Sequence, residues 1–298
     1  MSLHMLSSKN YSDSGKDYGD CTVIIHNGKA VVYDCGSVEH AEQVIKLLKQ
    51  NGISMVDCIL SHNDDDHYKG FEYLIKNGYV KGFYTIDVMS YKNDILNAIG
   101  DKRKSDNSIE EQIDKTYDNL SALSDLIQIR DIYKYKHLLP SFISFVGPEK
   151  DYFINATAKG LDTREGDSVD STTFTNASSI QIKVNLGNTC VMLNGDCAIE
   201  AIPDNVDFKD YNYLQIPHHG NEEIAESLFD RVGNYNDVTY LVSDNKGNAK
   251  GGSDNLVKKG YSNHSAENTK NGTINVNNTP SPKTTYIRRT PLGLWNIL

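Results

Sequence analysis

No stretch of this sequence approaches the ~20 consecutive apolar residues that a membrane-spanning helix needs, so a helical membrane anchor is not expected. The stretch from Met1 to Ser14 is polar and has no apolar core, so no secretory signal is expected either, and the expected compartment is the cytoplasm. Cysteine is scarce and unpatterned. Cys21, Cys35, Cys58, Cys190 and Cys197 are odd in number, and none forms a Cys-x-x-Cys pair. That argues against a disulfide framework and against a zinc knuckle. Cys21, Cys58 and Cys190 lie in or beside apolar, β-branched runs, as small buried hydrophobes in a reducing compartment would. Basic charge is short as well: 30 Lys and Arg face 40 Asp and Glu, a net charge of −10. Such a chain lacks the broad positive field that draws in polyanions, and no Arg/Lys stripe with interleaved aromatics compensates. Stable nucleic-acid binding is therefore not expected. Phosphoester chemistry is still open, because a bound metal ion supplies positive charge locally.

What is present fits a soluble globular protein. The 298 residues are 38% hydrophobic and 23% charged, enough for one large domain or two small ones. No internal repeat is visible. Cys21–His26 and Ala30–Tyr33 are β-rich, and Asn27-Gly28 between them signals a hairpin turn. Val38 to Asn51 carries Val44, Ile45, Leu47 and Leu48 as an amphipathic helix would. Met55 to Leu60 reads as a short apolar strand running into Ser61-His62; Phe71 to Lys76 reads as a helix and Tyr79 to Val88 as a strand. The residues from Ser90 to Leu139 are charged and helix-favouring, which predicts a helical insertion or cap, at about 90–139, outside the sheet. Ser141 to Val146 returns to β character, and Asp151 to Thr175 reads as a polar loop. Four further strands follow, at Ile180–Val184 and Cys190–Leu193, at Tyr213–Ile216 and at Val238–Val242. The segment at about 244–298 reads as loop-rich, with a short hairpin near Gly272.

Three polar clusters each follow a predicted strand directly: His62/Asp64/Asp66/His67, Asp196, and His218/His219. Strand ends are where α/β proteins usually keep their chemistry. A turn holding His, Asp, Asp and His within six residues aims several N and O donors at one point, and these donor types suit Zn²⁺, Mn²⁺ or Fe. A merely solvated acidic turn would not need the two flanking histidines. A calcium loop opening at Asp64-x-Asp66 lacks the bidentate Glu expected at its twelfth position, where Ile75 stands.

Ser61-His62-x-Asp64-x-Asp66-His67-x-x-Gly70 resembles the metal-binding signature of the metallo-β-lactamase superfamily, usually written His-x-His-x-Asp-His. Gly195-Asp196 is similar to the superfamily's bridging aspartate, and His219 or His218 to its last histidine. Asp34-Cys35-Gly36 is similar to an early strand-end aspartate that supports the site. The resemblance spans roughly residues 18 to 220. Gly19-Asp20, Asp64 in place of a histidine, Asn176-Ala-Ser178 and Pro217-His218-His219-Gly220 resemble the domain of competence-type DNA-uptake channel proteins and its free-standing relatives. The channel helices are absent, so DNA uptake itself is not implied.

The resemblance implies a single α/β (α+β) domain over residues 1–298, a four-layer αββα sandwich of two mixed β-sheets. It implies that His62 and Asp64 hold a first metal, that Asp66, His67 and His219 hold a second, and that Asp196 bridges them. One or two divalent ions are expected, Zn or Mn with Mg possible, because Asp64 and Asn176 in place of histidines make the first site oxygen-rich. A metal-bound hydroxide would attack the substrate, since a bound ion lowers the pKa of water from ~15.7 toward ~7. The catalytic set is then Asp66, His218 and His219, with His218 orienting a substrate oxygen, protonating the leaving group or merely packing. Asp20, Asp34, Asn176 and His264 are expected to support the ligands or line the pocket. His4, His26, His40 and His137 have no partner pattern.

The expected activity is hydrolysis of a phosphodiester, on a small or nucleotide-like substrate. Carboxylic esters, thioesters and lactams are the alternative substrates for the same chemistry, and a non-catalytic metal-binding interaction protein is the other class. The near-complete ligand set speaks against that last class.

Overall fold

The computed structural model describes residues 1–9, 19–99, 106–162, 168–233, 237–244 and 265–278. Two mixed sheets dominate. The seven-stranded sheet runs, edge to edge, Ile274–Asn277, Ser2–Met5, Cys21–His26, Lys29–Cys35, Val56–Ile59, Val80–Thr85 and Ile129–Asp131. The six-stranded sheet runs Ser265–Asn268, Thr239–Val242, Tyr213–Gln215, Cys190–Leu193, Gln181–Asn185 and Ile143–Gly147. Each is part antiparallel and part parallel. In the first, pairing is antiparallel as far as Lys29–Cys35 and parallel beyond it; in the second it is parallel from Ser265–Asn268 to Cys190–Leu193 and antiparallel after.

The hairpin signal is realised at Asn27 and Gly28, whose φ angles of 47° and 70° are those of a type I′ turn, closing His26 against Lys29. Lys29–Cys35 is buried on both faces after its first residue, which is why it reads as an apolar run without alternation. Val23, Val31, Ile182, Val184 and Leu193 share one core between the sheets, and the Tyr33 hydroxyl ties them by donating to the Ile180 carbonyl at 2.6 Å. Helices Val38–Gln50 and Asp65–Lys76 pack on the outside of the first sheet. Helix Glu222–Val232 buries Ile224, Ala225 and Leu228 against Met192, Leu214 and Tyr240 of the second. The result is the four-layer arrangement expected. No helix of the described residues is long and apolar enough to cross a membrane. All five cysteines are free thiols, and all but Cys190 are buried.

Three expectations change. The region at about 90–139 is helical over Lys92–Ala98, Asp106–Thr116 and Asp118–Ser124, but it also contributes Ile129–Asp131, which pairs in parallel with Val80–Thr85 as an edge strand. It is therefore part of the first sheet as well as a cap. The polar stretch after Asp151 is largely helix Lys150–Leu161, anchored by buried Phe153, Ala156 and Leu161. The loop-rich carboxyl-terminal segment holds two strands, and they do not form a hairpin: Ser265–Asn268 extends one sheet and Ile274–Asn277 the other, so the short turn at Thr269–Asn271 bridges the two.

Candidate metal centre

Asp34 ends a central strand and is wholly buried, with a left-handed φ of 56°. A non-glycine residue in this region costs about 1–2 kcal/mol, and such strain persists where the surroundings fix it. Here three donors fix it. Oδ1 accepts from the Ser61 backbone N–H at 2.7 Å, and Oδ2 accepts from the Ser61 hydroxyl at 2.8 Å and from His67 Nδ1 at 2.9 Å. Burial pushes the Asp34 carboxyl above its usual range, with His67 and His62 pulling against it.

The motif residues occupy the junction between strand Val56–Ile59 and helix Asp65–Lys76, so the ligand-bearing turn is a helix start rather than a free loop. Asp64 is the N-cap, and its side chain makes no capping hydrogen bond. The turn is pressed against the strand ends: a Cβ on Gly36 would lie 1.8 Å from the Asp66 carbonyl oxygen, so only glycine fits there. The Asp20 N–H donates to that carbonyl at 2.9 Å.

His67 carries its Nε2 to 3.4 Å from Asp196 Oδ1. His219 mirrors it. Its Nδ1 lies 3.1 Å from the Ser243 carbonyl and 3.2 Å from Asp20 Oδ1, while its Nε2 faces Asp66 Oδ2 at 3.2 Å and Asp196 Oδ2 at 3.5 Å. Asp20 Oδ2 accepts from Gln215 Nε2 at 2.9 Å. One ligand-type atom from each of Asp20, His67, Asp196 and His219 falls within 4.8 Å of the others. Asp20 faces the outer nitrogen of His219 and so buttresses the ring, whereas Asp66 faces the inner one. His218 and His219 both have left-handed backbones, φ 53° and 55°, which turn two successive rings toward Asp196.

Burial disfavours charge on His67 and His219, but Asp196 and the other carboxylates around them outweigh it and raise both imidazoles well above their usual range. Burial likewise opposes ionisation of Asp196 and Asp66; His219 and His67 outweigh it and hold both carboxyls low. The cluster thus has a high affinity for positive charge. His62 Nε2, His67 Nε2 and Asp196 Oδ1 are buried without a hydrogen-bond partner, an arrangement that is costly unless something satisfies them. A divalent cation fits that need, and the mixed N/O donor set suits one.

The other expected residues are placed less tightly. His62 Nδ1 lies 2.9 Å from the Ser61 hydroxyl and 3.1 Å from that of Ser179, and its ring is 4.2 Å from that of His67. Asp64 Oδ2 is 3.8 Å from His62 Nε2, with a side chain 42% exposed. Asp65 points away and pairs with Lys69. Asn176 donates from Nδ2 to Asp196 Oδ2 at 3.5 Å and accepts from the Thr173 hydroxyl, so it steadies the carboxylate rather than replacing a histidine ligand. His218 Nε2 is 3.8 Å from Asp196 Oδ2, and its Nδ1 is 3.4 Å from the Thr172 hydroxyl. His264 lies outside the described residues.

Reading the sequence missed Ser179, Gln215 and Ser243, each of which holds a site residue through a hydroxyl, amide or carbonyl. Gln215 and Ser243 are the last or next residue of core strands, which was the available signal.

The family model of the metallo-beta-lactamase superfamily matches residues 14–142. Among curated proteins none matches the sequence. Among solved structures, the metallo-beta-lactamase fold protein YhfI from Bacillus subtilis is similar at 12% identity and a TM-score of 0.51, over 92% of this chain and 98% of that one. A diphosphatase from the PhnP family aligns at 10% identity and a TM-score of 0.47, over 93% of this chain and 97% of that one. Residues 14–142 thus carry the sequence pattern of the metallo-β-lactamase superfamily, and the chain as a whole has the metallo-β-lactamase fold.

Proposed function

We propose that the protein is a hydrolase dependent on divalent metal, acting on phosphodiesters. The observation that carries this reading is the convergence of His67 Nε2 and His219 Nε2 on the two oxygens of Asp196, at 3.4 and 3.5 Å, inside the protein. His67, His219, Asp66 and Asp196 would hold one ion; His62 and Asp64, with Asp196 shared, would hold a second. Bound there, such ions polarise a substrate oxygen and acidify water.

The chain's own groups prepare that chemistry. Asp34 accepts the Nδ1 proton of His67, and the Ser243 carbonyl with Asp20 does the same for His219, so each ring offers its Nε2 lone pair inward. Asn176 and the Ser179 hydroxyl hold Asp196 from its carboxylate and its backbone N–H. His218, whose Nδ1 lies 3.4 Å from the Thr172 hydroxyl, would orient a substrate oxygen or protonate the leaving group. The oxygen-rich donors Asp64, Asp66 and Asp196 favour hard ions such as Mn²⁺ or Mg²⁺, whose preferred substrate atoms are phosphoryl oxygens. Together with the competence-type motifs, this supports a phosphodiester over a lactam. The net charge of −10 favours a small diester over a polymer.

The purified chain, loaded with Mn²⁺, should hydrolyse bis(p-nitrophenyl) phosphate and leave nitrocefin and a thioester largely intact. Turnover of the thioester or nitrocefin alone would replace the substrate class. Full metal content with no turnover of any of the three would contradict an enzyme.

A further inference from the structure

Ser61 lies just past strand Val56–Ile59 and is pinned through its backbone on both sides. Its N–H donates to Asp34 Oδ1 at 2.7 Å, and its carbonyl accepts from the Ile180 N–H at 3.0 Å. Gly195 closes over the side chain so tightly that a Cβ there would lie 2.8 Å from the Ser61 hydroxyl oxygen. That oxygen is therefore fixed in position, and only its proton can turn. It stands between two groups: Asp34 Oδ2 at 2.8 Å, to which the hydroxyl donates, and His62 Nδ1 at 2.9 Å. Asp34, Ser61 and His62 are all buried.

The protons set the direction. A carboxylate only accepts, and a serine hydroxyl has one proton to give. With that proton on the Asp34 side, the Ser61 oxygen can only accept from His62, so the ring carries its proton on Nδ1 and a lone pair on Nε2. His62 Nε2 is a buried atom without a hydrogen-bond partner. A lone pair there suits a cation, whereas an N–H there would be an orphaned donor. Asp34 Oδ2 also accepts from His67 Nδ1, at 2.9 Å. One oxygen thus stands behind two rings whose centroids are 4.2 Å apart. Ser179 brings a second hydroxyl to His62 Nδ1, at 3.1 Å, but its other contact is the Asp196 N–H, at 3.3 Å, and not a carboxylate.

We propose that Ser61 is a positioning residue that relays the Asp34 carboxylate to His62, so that one buried oxygen fixes the tautomer of a histidine in each half of the metal centre. The two halves are then coupled through the protein's own hydrogen bonds as well as through Asp196. The proposal rests on the reading that places His62 in the centre, and deepens it by naming what prepares that ring. Substitutions can reverse the relay. In Asp34→Asn the amide nitrogen takes the Oδ2 position, because the Ser61 backbone N–H cannot turn away from Oδ1 and the hydroxyl proton can turn away from Oδ2. The amide then donates to the Ser61 oxygen, the serine proton turns to His62 Nδ1, and the ring proton moves to Nε2, where it blocks the donor atom. In Ser61→Ala the Ser179 hydroxyl donates to Nδ1, with the same result.

The test reads tautomers in the full, metal-stripped chain labelled with ¹⁵N-histidine, where long-range ¹H–¹⁵N correlation spectra separate Nδ1–H rings from Nε2–H rings. The His62 signal is the one missing from His62→Asn. Wild type and Ser179→Ala should show His62 as Nδ1–H, and Asp34→Asn and Ser61→Ala should each convert half or more of it to Nε2–H. An Nε2–H ring in the wild type overturns the relay, and so does a ring still Nδ1–H in either Asp34→Asn or Ser61→Ala. If Asp34→Asn does not fold, Ser61→Ala against Ser179→Ala decides: conversion in the first alone upholds the relay, and equal behaviour overturns it. The second readout is titration of the same proteins with Mn²⁺. Ser61→Ala should weaken the weaker step about tenfold and leave the tighter one nearly unchanged; an unchanged weaker step overturns the positioning role. If the wild type takes up no second ion, the two-ion reading falls, and the tautomers decide the relay by themselves.

Discussion

His67 has its outer ring nitrogen hydrogen-bonded to the buried Asp34 carboxylate at 2.9 Å, and His219 has its own hydrogen-bonded to the Ser243 carbonyl at 3.1 Å with the buried Asp20 carboxylate 3.2 Å away. His62 has its outer nitrogen between two serine hydroxyls, and its neighbour Asp64 is 42% exposed and 3.8 Å away. The two halves of the site therefore differ in what stands behind the donors. A carboxylate can only accept from the imidazole, so it fixes the tautomer, aims the inner lone pair and makes it more basic. The Ser61 hydroxyl gives its one proton to Asp34 and so can only accept from His62, but neither it nor the Ser179 hydroxyl carries the charge that makes the inner lone pair more basic. An exposed carboxylate must also be ordered before it binds anything. On the proposed assignment, one half would be built before a cation arrives and the other would be completed by it. The account expects a tight ion at the His67/His219 half and a weaker one at the His62/Asp64 half.

The most severe way to break this difference is Asp196→Asn, because both halves share that carboxylate. The shape survives but the charge between three histidines is gone. Bound metal, measured by mass spectrometry after desalting, should fall below one ion per chain, and turnover should collapse by three orders of magnitude or more.

Asp34→Asn attacks the well-built half directly, by replacing the acceptor behind His67 with an amide, and reaches His62 only through the Ser61 hydroxyl. Loss of such an outer partner typically costs about 10–100-fold in metal affinity. The tight step in a metal titration should weaken by that factor. Because Asp34 also holds both donors of Ser61, thermal stability should drop along with it.

Asp64→Asn touches only the loose half. The tight step should be unchanged and the weak step should lose about tenfold, a split visible in one titration. If Asp64→Asn instead weakened the tight step, the proposed division between the halves would be wrong. Asp65→Asn, one residue along, removes an exposed carboxylate that pairs with Lys69 four residues on. Exposed pairs of this kind contribute about 0.3–0.5 kcal/mol, so metal content and rate should stay within error of the wild type.

The candidate donors of both halves were legible from the sequence, and the reason is physical. His62, Asp66 and His67 lie close along the chain at a strand-to-helix junction, and Asp196 and His219 follow apolar strands that announce themselves by composition. Local spacing carries such information. What holds the donors is not local: Ser179 meets His62 across 117 positions, and Gln215 meets Asp20 across 195. A single serine or glutamine at a strand end has no signature before the fold brings it into place. The same contrast governs the secondary structure. The Asn27-Gly28 hairpin and helix Val38–Gln50 were readable because turn chemistry and periodicity act within a few residues. Ile129–Asp131 has only three residues, one of them Arg and one Asp, and becomes a strand because Val80–Thr85 offers an open edge. Helix Lys150–Leu161 hid behind polar neighbours, its apolar side reduced to Phe153, three alanine or threonine positions and Leu161.

The measurement that tests the central claim most directly is calorimetric titration of Mn²⁺ into the metal-stripped wild type, set beside the same titration of Asp196→Asn and Asp65→Asn. The account predicts a tight step followed by a weaker one in the wild type, the same two steps in Asp65→Asn, and loss of both in Asp196→Asn. Identical titrations for Asp196→Asn and Asp65→Asn would contradict it.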